Sequence, residues 1–96
     1  MPLEDHYSGD RVFEGFIEAL QGHVGTAFRQ WCGHQSLVEA CGGDAGLALA
    51  VFYVGGEGSL KWMDEQVPVL GGTTPRKCVE TSTGRDRLKE ALLRFP

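Results

Sequence analysis

The sequence predicts an all-α fold, a small single-domain bundle of five to six mostly short helices. Three observations predict it. Apolar residues recur at helical spacing over residues 11–31 and again over residues 88–95. Helix-start chemistry stands at Asp10, at Ser36 with Glu39 three residues on, at Asp44 and at Thr74-Pro75. Fourteen glycines in 96 residues, about twice the usual share, imply many turns and helix ends, and therefore short elements.

Residues 1–10 read as a flexible leader, acidic and polar. A long amphipathic helix is expected over residues 11–35. Its stripe is Val12, Phe16, Leu20, Val24 and Phe28, widened by Phe13, Ile17, Ala27 and Trp31. Asp10 is its expected N-cap, Gly22 and Gly25 weaken its middle by about 1 kcal/mol each relative to Ala, and Gly33 is its stop. Ser36 opens a short helical piece carrying Leu37, Val38, Ala40 and Cys41, closed by Gly42-Gly43. Residues 45–54 are almost wholly apolar, so periodicity alone admits a buried strand or a buried helix. Three alanines and two leucines behind an Asp cap favour the helix.

Gly55, Gly56 and Gly58 frame a turn, and residues 59–65 form a short helix that Pro68 ends. Leu70-Gly71-Gly72-Thr73 is a compact turn, and Thr74-Pro75 starts a helix reaching about Thr81. Ser82 or Thr83 caps the last helix, whose inward residues are Leu88, Ala91, Leu92 and Phe95.

Composition narrows the class further. An apolar share of 42% with 23% charged residues is that of an ordinary globular protein, and 96 residues suffice for one core. No apolar run reaches the roughly 18–20 residues needed to span a bilayer, so no membrane role and a cytoplasmic location are expected. Cys32, Cys41 and Cys78 form no C-x-x-C pair and read as reduced, mostly buried thiols. Cys32 and His34 stand close, but no third and fourth ligand lie at metal-site spacing, and no base is placed to activate a thiol. No metal, no cofactor and no enzymatic activity are expected. Gly55-Gly56-Glu57-Gly58-Ser59 lacks the lysine and the spacing of a phosphate loop and reads as a plain turn.

The net charge of −4 is uneven. Residues 1–75 carry ten acids against three bases, whereas residues 76–96 carry six bases against three acids. Duplex binding relies on Lys and Arg, and only Arg11 and Arg29 precede Gly55, so DNA is disfavoured as a partner. The basic cluster Arg85, Arg87, Lys89 and Arg94 is instead placed to meet an acidic protein surface, with Phe95 beside it.

The most ordered stretch is residues 62–84. Trp62 is a large anchor, Leu70 plugs the turn onto the core, Gly71 and Gly72 permit backbone angles closed to other residues, and Thr74-Pro75 pins the next helix. The pattern W-x7-L-G-G-x-T-P-x8-G, here Trp62, Leu70, Gly71, Gly72, Thr74, Pro75 and Gly84, is followed by a basic helix. It resembles the toxin-binding domain of the Xre/MbcA/ParS antitoxins. Ala48-Leu49-Ala50-Val51-Phe52 and Gly55, leading into Leu60-Lys61-Trp62-Met63, are similar to that family's approach to the Trp, so the resemblance covers residues 48–95.

The resemblance implies an all-helical bacterial antitoxin that binds a protein toxin encoded nearby, of the NAD-consuming RES type, and occludes its active site. The number of copies in the assembly is left open, a homodimer included. Two alternatives stand beside this reading: a small DNA-binding transcriptional regulator, and an unrelated α+β domain in which residues 47–54 are a strand.

Overall fold

The computed structural model describes residues 9–94. Residues 1–8 of the expected leader, and Phe95 among the expected contact residues, lie outside the described residues. Seven α-helices follow one another: α1 (Asp10–His23), α2 (Gly25–Gln30), α3 (His34–Ala40), α4 (Ala45–Gly55), α5 (Ser59–Trp62), α6 (Pro75–Cys78) and α7 (Ser82–Arg94). Two single 3-10 turns, Gly56–Gly58 and Pro68–Leu70, join them. The fold is all-α, and the only β-type contact among the described residues is an isolated pair between Val67 and Thr73.

Helix α4 is the centre of the molecule. Leu47, Ala48, Leu49, Ala50 and Val51 are all buried, so the segment without amphipathic periodicity is apolar all round because it is covered all round. The helix is the form taken, and the strand alternative for residues 47–54 falls with it. Asp44 caps it as expected, its Oδ1 accepting from the Leu47 amide at 3.0 Å. Helices α1, α2, α3, α5 and α7 all pack on α4. From α1 come Phe13 and Leu20, from α3 Leu37, and from α7 Leu88, Ala91 and Leu92.

The long helix expected over residues 11–35 is instead three elements. At Val24 the backbone turns to φ −127°, ψ 0°, and the chain restarts at the buried Gly25. The weakness of Gly22 and Gly25 is thus resolved as a break, which lets Phe28 reach the core against Phe52, ring centroids 5.1 Å apart. A second break follows at Trp31, which is extended at ψ 135°. Gly33 opens α3 rather than closing a helix. It must be glycine because the Trp31 ring lies over it, and an added Cβ would stand 2.5 Å from the indole.

Three expected caps move by one to three positions. Gly9, not Asp10, holds the α1 N-cap, with its carbonyl accepting from the Phe13 amide at 3.1 Å, and Asp10 occupies the first turn. Ser36 sits inside α3, which begins two residues earlier, and Glu39 accepts from Gln35 instead of closing a capping box. At α7 the cap side chain is Thr81, whose Oγ1 accepts from the Gly84 amide at 2.9 Å, rather than Ser82 or Thr83. Helices α5 and α6 are single turns, shorter than the expected spans over residues 59–65 and 76–81.

Candidate functional site

The segment from Trp62 to Gly84 forms a braced turn followed by a tight helix junction. Its opening anchor, Trp62, is half-buried and packs against the core, and the adjacent Met63 is wholly enclosed. From there the chain runs out to Val67, whose amide donates to the Thr73 carbonyl at 3.0 Å. Between them the Leu70 amide donates back to Val67 (2.9 Å), Gly71 to Pro68 (3.0 Å) and Gly72 to Val67 (3.2 Å).

Two consecutive left-handed residues, Gly71 at φ 77° and Gly72 at φ 80°, make this reversal, and side-chain-bearing residues would be strained there. Leu70 is 0% exposed and plugs the turn into the core as expected, while its neighbour Val69 is 47% exposed and faces outward with Pro68. Thr74 and the buried Pro75 then start α6, the Thr hydroxyl accepting from the Lys77 amide at 3.2 Å.

Arg76 ties this turn to α5. Its amide donates to the Met63 carbonyl at 3.0 Å, and its guanidinium grips Asp64 through Nε at 2.7 Å and Nη2 at 3.4 Å. The hydrogen bond to Arg76 holds the Asp64 carboxyl below its ordinary range and raises Arg76 in turn. Both groups are well exposed, so the pair fixes geometry more than it adds stability.

Gly84 sets how α6 meets α7. It is buried against the Cys78 carbonyl, and a Cβ would also stand 2.8 Å from Thr81 Oγ1. Only glycine allows so close a junction, which gives the last residue of the motif a structural role.

The basic residues of α7 are drawn into the fold. Arg85 donates from Nη1 to the Val79 carbonyl at 2.9 Å, and Arg87 donates to the Leu70 carbonyl at 3.3 Å. Lys89 bonds Asp10 at 3.3 Å and stands 5.5 Å from the Phe13 ring centroid, joining α7 to α1. Arg94 pairs with the buried Glu90 at 2.7 Å. The helical repeat puts Arg85 and Lys89 on one face and Arg87 and Arg94 on the opposite one, so the four do not form a single patch. Their sequence proximity concealed this, because period 3.6 separates neighbours that a charge count groups together.

Two surface clefts flank the turn. One, of about 360 Å³, lies between α6 and the start of α7 and is lined by Lys77, Glu80, Thr81, Thr83 and Arg87, with Thr73 at its edge. The other, of about 320 Å³, is lined by Gln66, Gly71, Gly72 and Thr74 and shares Thr73 and Lys77 with the first. Val69, Thr73 and Lys77 are the residues sequence reasoning passed over. The signal for Lys77 was its place two residues after Pro75, in the helix that Thr74-Pro75 starts, where it is exposed.

Elsewhere, Cys41 and Cys78 are buried and Cys32 is exposed, all three as free thiols. Burial and the nearby Asp44 push the Cys41 thiol up to about 12. The His34 ring packs edge-on against Phe28, with centroids 4.5 Å apart. Among the described residues no group of three or more His, Cys, Asp or Glu side chains is placed to hold a metal ion. No single helix among them is long and apolar enough to cross a membrane. Compared with protein-family models, curated proteins and solved structures, the chain has no match in any of the three.

Proposed function

We propose that this chain is a protein-binding module of the antitoxin kind, acting in the bacterial cytoplasm, which docks on a partner toxin and occludes its active site. The observation that carries the reading is the braced turn at residues 67–75. Pro68 and Val69 are held outward on a backbone fixed by the Val67–Thr73 pair, by the buried Leu70 beneath and by Arg87 from α7. A loop ordered before binding loses little conformational entropy on docking, which favours affinity per unit of contact. The motif resemblance adds the class of partner, an NAD-consuming toxin of the RES type encoded next to the chain. Arg85, Arg87, Lys89 and Arg94 brace the module through the Val79 and Leu70 carbonyls, Asp10 and Glu90.

The test is co-expression with the neighbouring reading frame. The reading expects a co-purifying complex and suppression of that neighbour's NAD consumption. A neighbour that is not toxic, or that does not co-purify, contradicts it.

A further inference from the structure

We propose that the outer face of α1 is a docking surface for a second copy of this chain, the two α1 helices packing antiparallel about a two-fold axis. The surface shares no residue with the turn at residues 67–75, and its occupant does not depend on what that turn binds.

Helix α1 turns Phe13, Ile17 and Leu20 towards the core. Its opposite side carries Val12, Gly15, Ala19 and Gly22, whose steps of three and four make one stripe. All four are exposed, and nothing stands within 4 Å of a Cβ added at Gly15 or Gly22. A helix side that faces water ordinarily bears charged and polar residues. This one is apolar and low in relief, which lets a second backbone come close. Along one edge of the stripe Phe16 and Tyr53 meet edge-on, ring centroids 6.1 Å apart. Three large apolar side chains are exposed among the described residues, and two of them, Val12 at 52% and Tyr53 at 44%, border this face.

The charges on the other edge select the occupant and its direction. Arg11 and Glu18 stand there seven residues apart, about two helical turns. Both are exposed, and among the described residues neither makes an ion pair. A parallel neighbour would set Arg11 against Arg11 and Glu18 against Glu18. An antiparallel one sets Arg11 of each copy beside Glu18 of the other, and the two-fold axis makes that pair twice. The same register places Val12 opposite Gly22 and Gly15 opposite Ala19, small residues against their neighbours throughout, with the two Phe16 rings near the axis on the far edge. A face that complements itself in charge and in relief fits its own copy. One helix side with a flanking tyrosine is a small interface, of the weak and reversible class.

The experiment is sedimentation equilibrium of the full chain at low salt, from about 10 µM to about 1 mM. A reversible passage from monomer to dimer within that range is expected. Glu18→Arg and Arg11→Glu each place like charges together across the axis and should each weaken the dimer by about tenfold or more. The double variant Arg11→Glu/Glu18→Arg restores both pairs with their signs exchanged and should return to within about threefold of the native value. Glu80→Arg, the same charge change at an exposed site on the α6–α7 cleft, should leave the dimer unchanged. A monomer at every concentration overturns the proposal. So do a dimer indifferent to both single changes, an equal loss in Glu80→Arg, and a double variant no better than the singles.

Discussion

Replacing Leu70 with Ala removes the plug on which the turn rests. The side chain is 0% exposed, so the three carbons lost carry transfer free energy in full, about 2.4 kcal/mol at about 0.8 kcal/mol for each. The hole also costs free energy, because the turn is too constrained by Gly71, Gly72 and the Val67–Thr73 pair to collapse into it. A total of about 3–4 kcal/mol is expected, within the range of buried Leu to Ala changes. In a domain of this size that lowers Tm by about 12–30 °C, at roughly 4–8 °C for each kcal/mol. Thermal unfolding followed by far-UV circular dichroism reads it, with Val69→Ala as the matched control one residue away. Val69 is half-exposed, and its truncation should stay within about 0.5 kcal/mol. If Leu70→Ala shifts Tm by no more than Val69→Ala, the turn is not anchored as described.

Glycine supplies a second contrast. Gly15 lies inside α1 with nothing within 4 Å of an added Cβ, so Gly15→Ala should stabilise by up to about 1 kcal/mol. Gly84→Ala should instead cost about 1–3 kcal/mol, because its methyl meets the Cys78 carbonyl, and urea unfolding of the two variants should give opposite signs. For the thiols, a disulfide reagent at neutral pH should modify Cys32 rapidly and Cys41 and Cys78 only after denaturation, since those two are buried. Comparable rates for all three in the native protein would contradict their placement. Asp64 sets a pH dependence. Its carboxyl is held below the ordinary value of 3.8, so the pairing with Arg76 favours the folded state above that value and is lost as pH falls through the lower, folded one. Asp64→Asn should therefore narrow the stability difference between neutral pH and about pH 2, as measured by urea midpoints. An unchanged difference would contradict a functioning Asp64–Arg76 pair.

Much of the fold was legible because it rests on local chemistry. Asp44 and Thr74-Pro75 cap their helices as their side chains dictate, and Gly71 and Gly72 reverse the chain where no other residue does so without strain. The helical form of residues 45–54 followed from alanine and leucine content even though periodicity was absent, and its burial explains that absence. What escaped the sequence was tertiary in origin. The break at Val24 and the role of Gly33 depend on Phe28 and Trp31 reaching Phe52, which no local pattern encodes. That Met63 rather than Trp62 is the wholly enclosed side chain is likewise a matter of tertiary packing.

The basic helix misled for the same reason. Charge counting grouped Arg85, Arg87, Lys89 and Arg94, while the fold assigns their donors to Val79, Leu70, Asp10 and Glu90. Lys77 stands exposed on α6 beside the turn, and it entered the sequence reading only as part of a total.

In the proposed function, the turn at residues 67–75 is a preorganised docking surface. The most direct test is the affinity of the purified chain for the product of the neighbouring reading frame, the partner proposed above, measured for the native protein and for Val69→Asp. A complex is expected whose Kd rises by about tenfold or more in the variant, as for an apolar contact buried at an interface, with Tm essentially unchanged. Equal affinities in the two proteins would contradict it.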